Sequence, residues 1–262
     1  MSNALLRAFT SITLFVLAAA SLGACAGLPF TGSSGWKEEV LLHDGRTLVI
    51  ERSIVRRGRH EIGQPPPVGE QTIRFKLPQS RKTVRWTSAY DDELGHSDFR
   101  LRAVHILNDT PYVIAEPDLC LSYNKWGRPN PPYVIFRYDG TAWQRIPIAQ
   151  LPVEFKTFNV VMSLDKSDTD KLAREGRASA EKVRELNKGV EQNNPPLRTI
   201  LREPTTGGNI GCTVMVRYRG HWIWDKSPTA RKSIDIEIIN KNRKITPDQG
   251  KPDRHAPEKA TP

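Results

Sequence analysis

The sequence predicts a mainly β fold, an antiparallel sandwich or strongly bent sheet, with one amphipathic helix inserted at about residues 168–190. Three observations lead there. Residues 71–77 and 233–239 alternate strictly between apolar and polar side chains, the period of a half-buried strand. Asp44-Gly45, Asp139-Gly140 and Arg219-Gly220 each sit between two such runs, as tight hairpin turns do. Only residues 167–188 space their apolar side chains as a helix would.

The chain opens on Arg7, an apolar run over residues 8–20, and Leu22-Gly23-Ala24-Cys25. A positive start, a short apolar stretch and small residues form a secretory signal. The run is too short to span a bilayer, which takes about 20 apolar residues. With Cys directly after the small residues, the segment resembles the lipobox of bacterial lipoproteins. The resemblance implies export, cleavage before Cys25, and acylation of the Cys25 sulfur and of its new amine. Several acyl chains at one residue hold a protein on a membrane where a single chain is marginal. Ala26 follows where an Asp would imply retention at the inner membrane, so the resemblance implies the outer membrane, facing the periplasm.

Residues 1–24 are thus the signal peptide, and residues 25–35 a flexible tether rich in Gly and Ser. A single β-rich body is expected over residues 36–240. Strands are predicted at 40–43 and 47–52 around Asp44-Gly45. Pro65-Pro66-Pro67 makes 63–69 a loop. In 71–77, Ile73, Phe75 and Leu77 oppose Thr72, Arg74 and Lys76. Further strands follow at 83–88 and 99–107. In the second, Leu101, Ala103 and His105 are expected on one face and Arg100, Arg102 and Val104 on the other. Residues 111–115, 119–123, 133–137 and 143–148 read as strands, as does a short run at 160–164. The last hairpin spans 213–219 and 221–224, and residues 233–239 form a final strand.

Over 167–188, Leu172, Ala173, Ala180, Val183 and Leu186 fall at helical spacing, and Ser167 with Asp170 is a candidate capping box. Asn193-Asn194-Pro195-Pro196 stops the helix. Residues 241–262 are rich in Pro and charge and nearly devoid of apolar side chains. They bury too little to offset their ordering entropy and read as a disordered, mildly basic tail.

The formal charge is +10, from 39 basic and 29 acidic residues. A basic envelope protein has anionic neighbours available to it: lipid head groups, wall polymers or nucleic acid. Nucleic acid rests on charge alone and is not expected. Three Cys would leave an odd thiol, but lipidation of Cys25 leaves Cys120 and Cys212 as a pair. A disulfide between them is expected, two separate buried thiols being the alternative. No zinc spacing, phosphate loop or dinucleotide fingerprint is present, so no metal or cofactor is expected.

Ser-x-x-Lys occurs at Ser122/Lys125, Ser163/Lys166 and Ser179/Lys182 without the partner motifs of penicillin-interacting enzymes. Asp91, Asp92, Glu93 and His96 gather carboxylates and an imidazole that could activate water, or equally form a solvated turn. His105 lies among apolar residues, as a core histidine does. Two aromatic groups have Arg and Lys beside them: Tyr123, Trp126 and Tyr133, and Tyr218, His221, Trp222 and Trp224. Such faces suit sugar rings or anionic polymers, although aromatics in hairpins commonly form cross-strand pairs. Together these features favour a lipid-anchored envelope protein acting as a non-enzymatic binding or scaffold module for a cell-wall polymer or an envelope protein. The alternative is a hydrolase or transferase working on cell-wall or lipid material through Asp91, Asp92, Glu93 and His96.

Overall fold

A computed structural model describes residues 33–205 and 211–226. The architecture is mainly β. A five-stranded sheet has the order β11-β1-β2-β3-β4, where β1 is Ser33–Leu41, β2 Thr47–Arg56, β3 Val68–Lys76, β4 Thr83–Ser88 and β11 Arg177–Ala178. A four-stranded antiparallel meander has the order β10-β9-β8-β7, with β7 Phe99–Leu107, β8 Thr110–Pro117, β9 Val134–Tyr138 and β10 Trp143–Ile146. Two small hairpins complete the described strands. They are β5 (Tyr90–Asp91) with β6 (His96–Ser97), and β12 (Met215–Tyr218) with β13 (His221–Trp224).

The two large sheets are the layers of a sandwich. Val40, Ile50, Ile73, Phe75 and Trp86 of the first share one buried cluster with Phe99, Val113, Phe136 and Trp143 of the second. Trp143 also donates its indole N–H to the carbonyl of Arg85, at 2.7 Å, on edge strand β4. The meander is buried on its other face as well. There Tyr112, Ile114 and Ile135 meet Leu151, Phe155, Phe158, Leu197 and Ile200 from the connections after β10. With both faces covered, β8 loses the alternation of a half-exposed strand and reads as continuous apolar sequence.

Alternation misleads in β7 for a local reason. Its register with β8 shifts between Leu101 and Ala103, so Arg102 is an extra residue. The bulge reverses the faces. Leu101 joins the inter-sheet core with Val104 and Ile106, while Ala103 and His105 turn outward to the second cluster. The face assignment from strict period two is corrected accordingly.

The expected helix is two helices. α2 (Lys166–Glu175) ends at Gly176, which takes φ +71 and donates its N–H to Leu172 at 2.8 Å, and α3 (Ala180–Asn193) follows. A left-handed glycine is a common helix stop. Between them Arg177 and Ala178 pair in parallel with Lys37 and Glu38. The cap of α2 is Asp165, not Ser167, and no side chain closes it; Ser179 caps α3 by accepting from the Lys182 N–H at 3.2 Å. Residues 119–123 are likewise helical: α1 (Leu119–Lys125) turns off β8.

Residues 160–164, a predicted strand, run through the interior as an extended strap with side chains in place of a ladder. Val161 is bonded at its N–H by Glu38 and at its carbonyl by Arg52 (2.7 Å). Asn187 of α3 accepts from Met162 N–H (3.0 Å) and donates to the Val160 carbonyl (2.8 Å). Arg52 and Glu38 have no solvent-exposed side-chain surface and face each other at 3.3 Å. Desolvation pulls the Arg52 guanidinium below its usual pKa, and Glu38 opposes that shift. This polar layer separates the main core from a third cluster, where Leu172 and Val183 of the helices cover Trp36, Ile54 and Val68.

Strand β1 begins at Ser33, three residues before the expected start of the body. The predicted strand at 233–239, the tail at 241–262, Cys25 and the signal lie outside the described residues. Among the described residues no helix is long and apolar enough to cross a membrane.

Candidate functional site

The β12–β13 hairpin is a tight two-stranded element with one partly exposed aromatic face. Arg219 and Gly220 take φ of +47 and +83 at its turn, the two positive values a type I′ turn requires. Val216↔Ile223 and Tyr218↔His221 occupy one face, with Val216 buried; Met215↔Trp224 and Arg217↔Trp222 occupy the other. On that second face Trp224 is 52% exposed and Arg217 lies in solvent at 3.4 Å from Glu93. An isolated two-stranded hairpin is marginal in water, so its anchorage matters.

Three attachments hold it to α1 and the turn that follows it. The sulfurs of Cys120 and Cys212 are 2.06 Å apart, a disulfide. Asn124 accepts from Met215 N–H (2.9 Å) and donates to the carbonyls of Thr213 (3.0 Å) and Cys120 (2.8 Å). Arg128 donates to Cys212 (2.9 Å) and lies over the Tyr123 ring, 4.9 Å from its centre. The short helix unseen in the sequence is therefore the base of the hairpin.

The first aromatic group does not form a surface. Tyr123, Trp126 and Tyr133 are only 2%, 4% and 5% exposed. Trp126 packs on Phe99 with ring centres 4.4 Å apart, and Tyr133 meets Phe158 while its hydroxyl donates to Pro196 at 3.0 Å. Burial lifts the Tyr133 hydroxyl to about 12 and raises that of Tyr123. The expectation that these rings face a ligand is corrected: helix α1 and the loop after it turn them inward. Of the second group, Trp224 and His221 are exposed, and Tyr218 and Trp222 are partly so.

The acidic candidates are dispersed among structural tasks. Asp91 accepts from the N–H groups of Glu93 and Leu94 at 2.9 Å and from Lys125 at 2.6 Å. Its pKa is lowered: burial alone would raise it, and the Lys125 and backbone bonds outweigh that. Asp92 is exposed, Glu93 faces Arg217, and buried His96 donates to the Ser97 carbonyl at 2.8 Å. Among the described residues no three His, Cys, Asp or Glu side chains form a metal-sized group.

Ser122 and Lys125 do share a helix, the context a Ser-x-x-Lys pair needs. The buried Ser122 hydroxyl, however, donates to the Asp98 carbonyl, and the Lys125 ammonium lies between Asp91 and Asp98 (2.8 Å). The ammonium donates to both carboxylates, so its hydrogen bonds go to these ion pairs and not to the serine, whose hydroxyl is turned to a backbone carbonyl. Ser163 donates to Asp168, and Ser179 is the α3 cap. His105 donates from Nε2 to Thr157 at 2.9 Å and stacks on Phe155 at 4.5 Å; burial depresses it to about 4. It is a core histidine.

A cleft of about 520 Å³ lies among the turns at one end of the sandwich, lined in part by Lys82, Arg137, Asp109 and Asp139. Its carboxylates are turn caps: Asp109 accepts from Gln79 and Ser80 N–H, and Asp139 from Thr141 and Ala142 N–H. The amide of Ala142, followed by Thr141, holds Asp139 far below the usual carboxylate range. No family model, no curated protein and no solved structure matches this chain.

Proposed function

We propose that this is a lipid-anchored envelope protein that acts as a non-enzymatic binding module, with the β12–β13 hairpin as its ligand surface and a cell-wall polymer as its ligand. The observation that carries the reading is the hairpin itself. An exposed Trp224 beside Arg217 sits on a two-stranded element fixed by a disulfide, an Asn and an Arg. Aromatic faces suit sugar rings, and guanidinium groups suit the carboxylates and phosphates of wall polymers. A bonded Cys pair also accords with the oxidising compartment that the lipobox implies.

The test is co-sedimentation with isolated sacculi at low and high salt, using the chain from residue 25 with Cys25→Ser. Binding that survives salt and falls at least several-fold in Trp224→Ala supports the reading. Absence of pelleting, or pelleting abolished by moderate salt, sinks it.

A further inference from the structure

We infer that the loop joining β2 to β3, residues 57–67, is a second membrane contact that lays the body against an anionic lipid surface. The inference rests on the reading of Cys25 as the lipid anchor. Chain direction comes first. Gly35 lies against Arg52 and Ser53, and Trp36 packs with Ile54, so the start of β1 runs beside the end of β2. The chain therefore enters the body at the end from which the β2–β3 loop leaves it. From Cys25 to Ser33 there are eight peptide steps, which reach at most roughly 28 Å when fully extended. The opposite end of β2, at Thr47, is about 30 Å further along the strand.

The loop has a fixed base and an apolar tip. Arg57 N–H donates to Pro67 (3.1 Å), Arg56 reaches the Pro66 carbonyl (3.3 Å), and the Arg57 guanidinium lies 4.1 Å from the centre of the Tyr90 ring. Gly58 takes φ +118, and a Cβ there would come within 2.3 Å of the Gly95 carbonyl, so only glycine allows this close approach. The tip turns through Gln64 N–H to Glu61 (3.0 Å) and leaves Ile62 fully exposed. A bare Ile on a braced turn, beside Arg59 and His60, has no packing role among the described residues.

Charge selects the occupant. Arg57 and Arg59 oppose one loop carboxylate, Glu61. Of the acids on the neighbouring β5–β6 turn, Asp91 is bound to Lys125 and Glu93 faces Arg217, leaving Asp92. Cations near a bilayer are drawn to anionic head groups, and an apolar side chain among them enters the interface. One Ile and two Arg are too few to bind a free protein to a membrane. A protein already anchored meets the surface at high effective concentration, and then such a contact sets orientation.

The experiment uses the full acylated protein, with Cys25 acylation checked by intact mass, in vesicles with and without phosphatidylglycerol. A nitroxide is placed at Ile62→Cys and, as control, at exposed Thr47→Cys. Expected is several-fold lower access of a water-soluble relaxant at position 62 than at 47 with phosphatidylglycerol. The difference should shrink without it or with Arg59→Gln. Equal access at both positions on acylated protein overturns the inference and leaves the anchor intact. An unacylated Cys25 removes the anchor and the inference with it.

Discussion

Asn159 and Val104 pair as two strand residues would. Val104 N–H donates to the Asn159 Oδ1 at 3.0 Å, and the Asn159 amide returns a bond to the Val104 carbonyl at 2.8 Å. The same amide also reaches the Leu41 carbonyl at 3.0 Å, so one side chain closes the edge of β7 and ties it to β1. Asn159→Ala orphans the Val104 N–H and carbonyl in the interior and removes a donor from the carbonyl of the exposed Leu41. At about 1–3 kcal/mol for each buried unpaired group, the two Val104 groups should cost the variant at least about 2 kcal/mol. Urea unfolding with an unchanged slope and a lower midpoint would show it; a loss under 1 kcal/mol would mean that water replaces the amide.

The Arg52–Glu38 pair inside the sandwich bears on stability through its partners. Arg52→Met leaves the Glu38 carboxylate buried with only the Trp36 indole and Val161 N–H as donors. Removing one member of a buried pair costs about 3–5 kcal/mol. Denaturation should show a loss of that order, and the strap at 160–162 should lose amide-exchange protection first.

Much of this architecture was legible in the sequence, and what was not has local causes. The turns at Gly45, Gly140 and Gly220 were readable because each demands positive φ, which glycine supplies. Arg102 was not, because a bulge adds one residue without changing composition. Helix α1 was missed because seven residues are too few to show a helical period, and Leu119, Cys120 and Tyr123 also suit strands. The split falls at Gly176, where the apolar spacing runs on unbroken and only the left-handed φ of the glycine ends the first helix. For the site, the Cys pair and the last hairpin could be read directly. The inward turn of Tyr123, Trp126 and Tyr133 could not, since it depends on α1 and on contacts with β7, β9 and residues 158 and 196.

His105 gives a pH dependence whose sign follows from burial. Its folded pKa is about 4, below the ordinary 6.5. The folded state thus prefers the neutral ring, and the unfolded chain takes the proton more readily. The full contribution is present above pH 6.5 and falls as pH drops from 6.5 to 4, by about 3 kcal/mol. His105→Gln, which keeps a donor for Thr157, should flatten the stability profile in that window. An unchanged slope would assign it to other groups.

Cleaving the staple should loosen the hairpin before the body. The bond closes 92 residues, and in the chain-entropy model its removal costs about 4–5 kcal/mol. In Cys120→Ala/Cys212→Ala, Asn124 and Arg128 remain as attachments. Limited proteolysis should therefore cut within 205–226 while the sandwich still melts cooperatively. Simultaneous cleavage throughout the chain would show that the hairpin and sandwich unfold as one unit.

Trp126 and Trp224 separate packing from recognition. Trp126 is buried against Phe99 and Phe136, and its indole donates to Asp98 at 2.9 Å. Trp126→Ala opens a cavity and removes one donor from a carboxylate that Lys125 still binds, at a cost of about 3–5 kcal/mol. Any loss of sacculus binding in that variant should track loss of folded protein, and lowering the temperature should restore both. Trp224 is half exposed on the outer face of the hairpin, so Trp224→Ala should leave stability within about 0.5 kcal/mol. Its binding should fall at every temperature at which the protein is folded. Thermal melts run beside pelleting assays decide the matter. If Trp224→Ala binds like the parent while Arg217→Ala does not, the hairpin recognises charge alone, and the aromatic face is left with the cross-strand pairing of Met215 and Trp224.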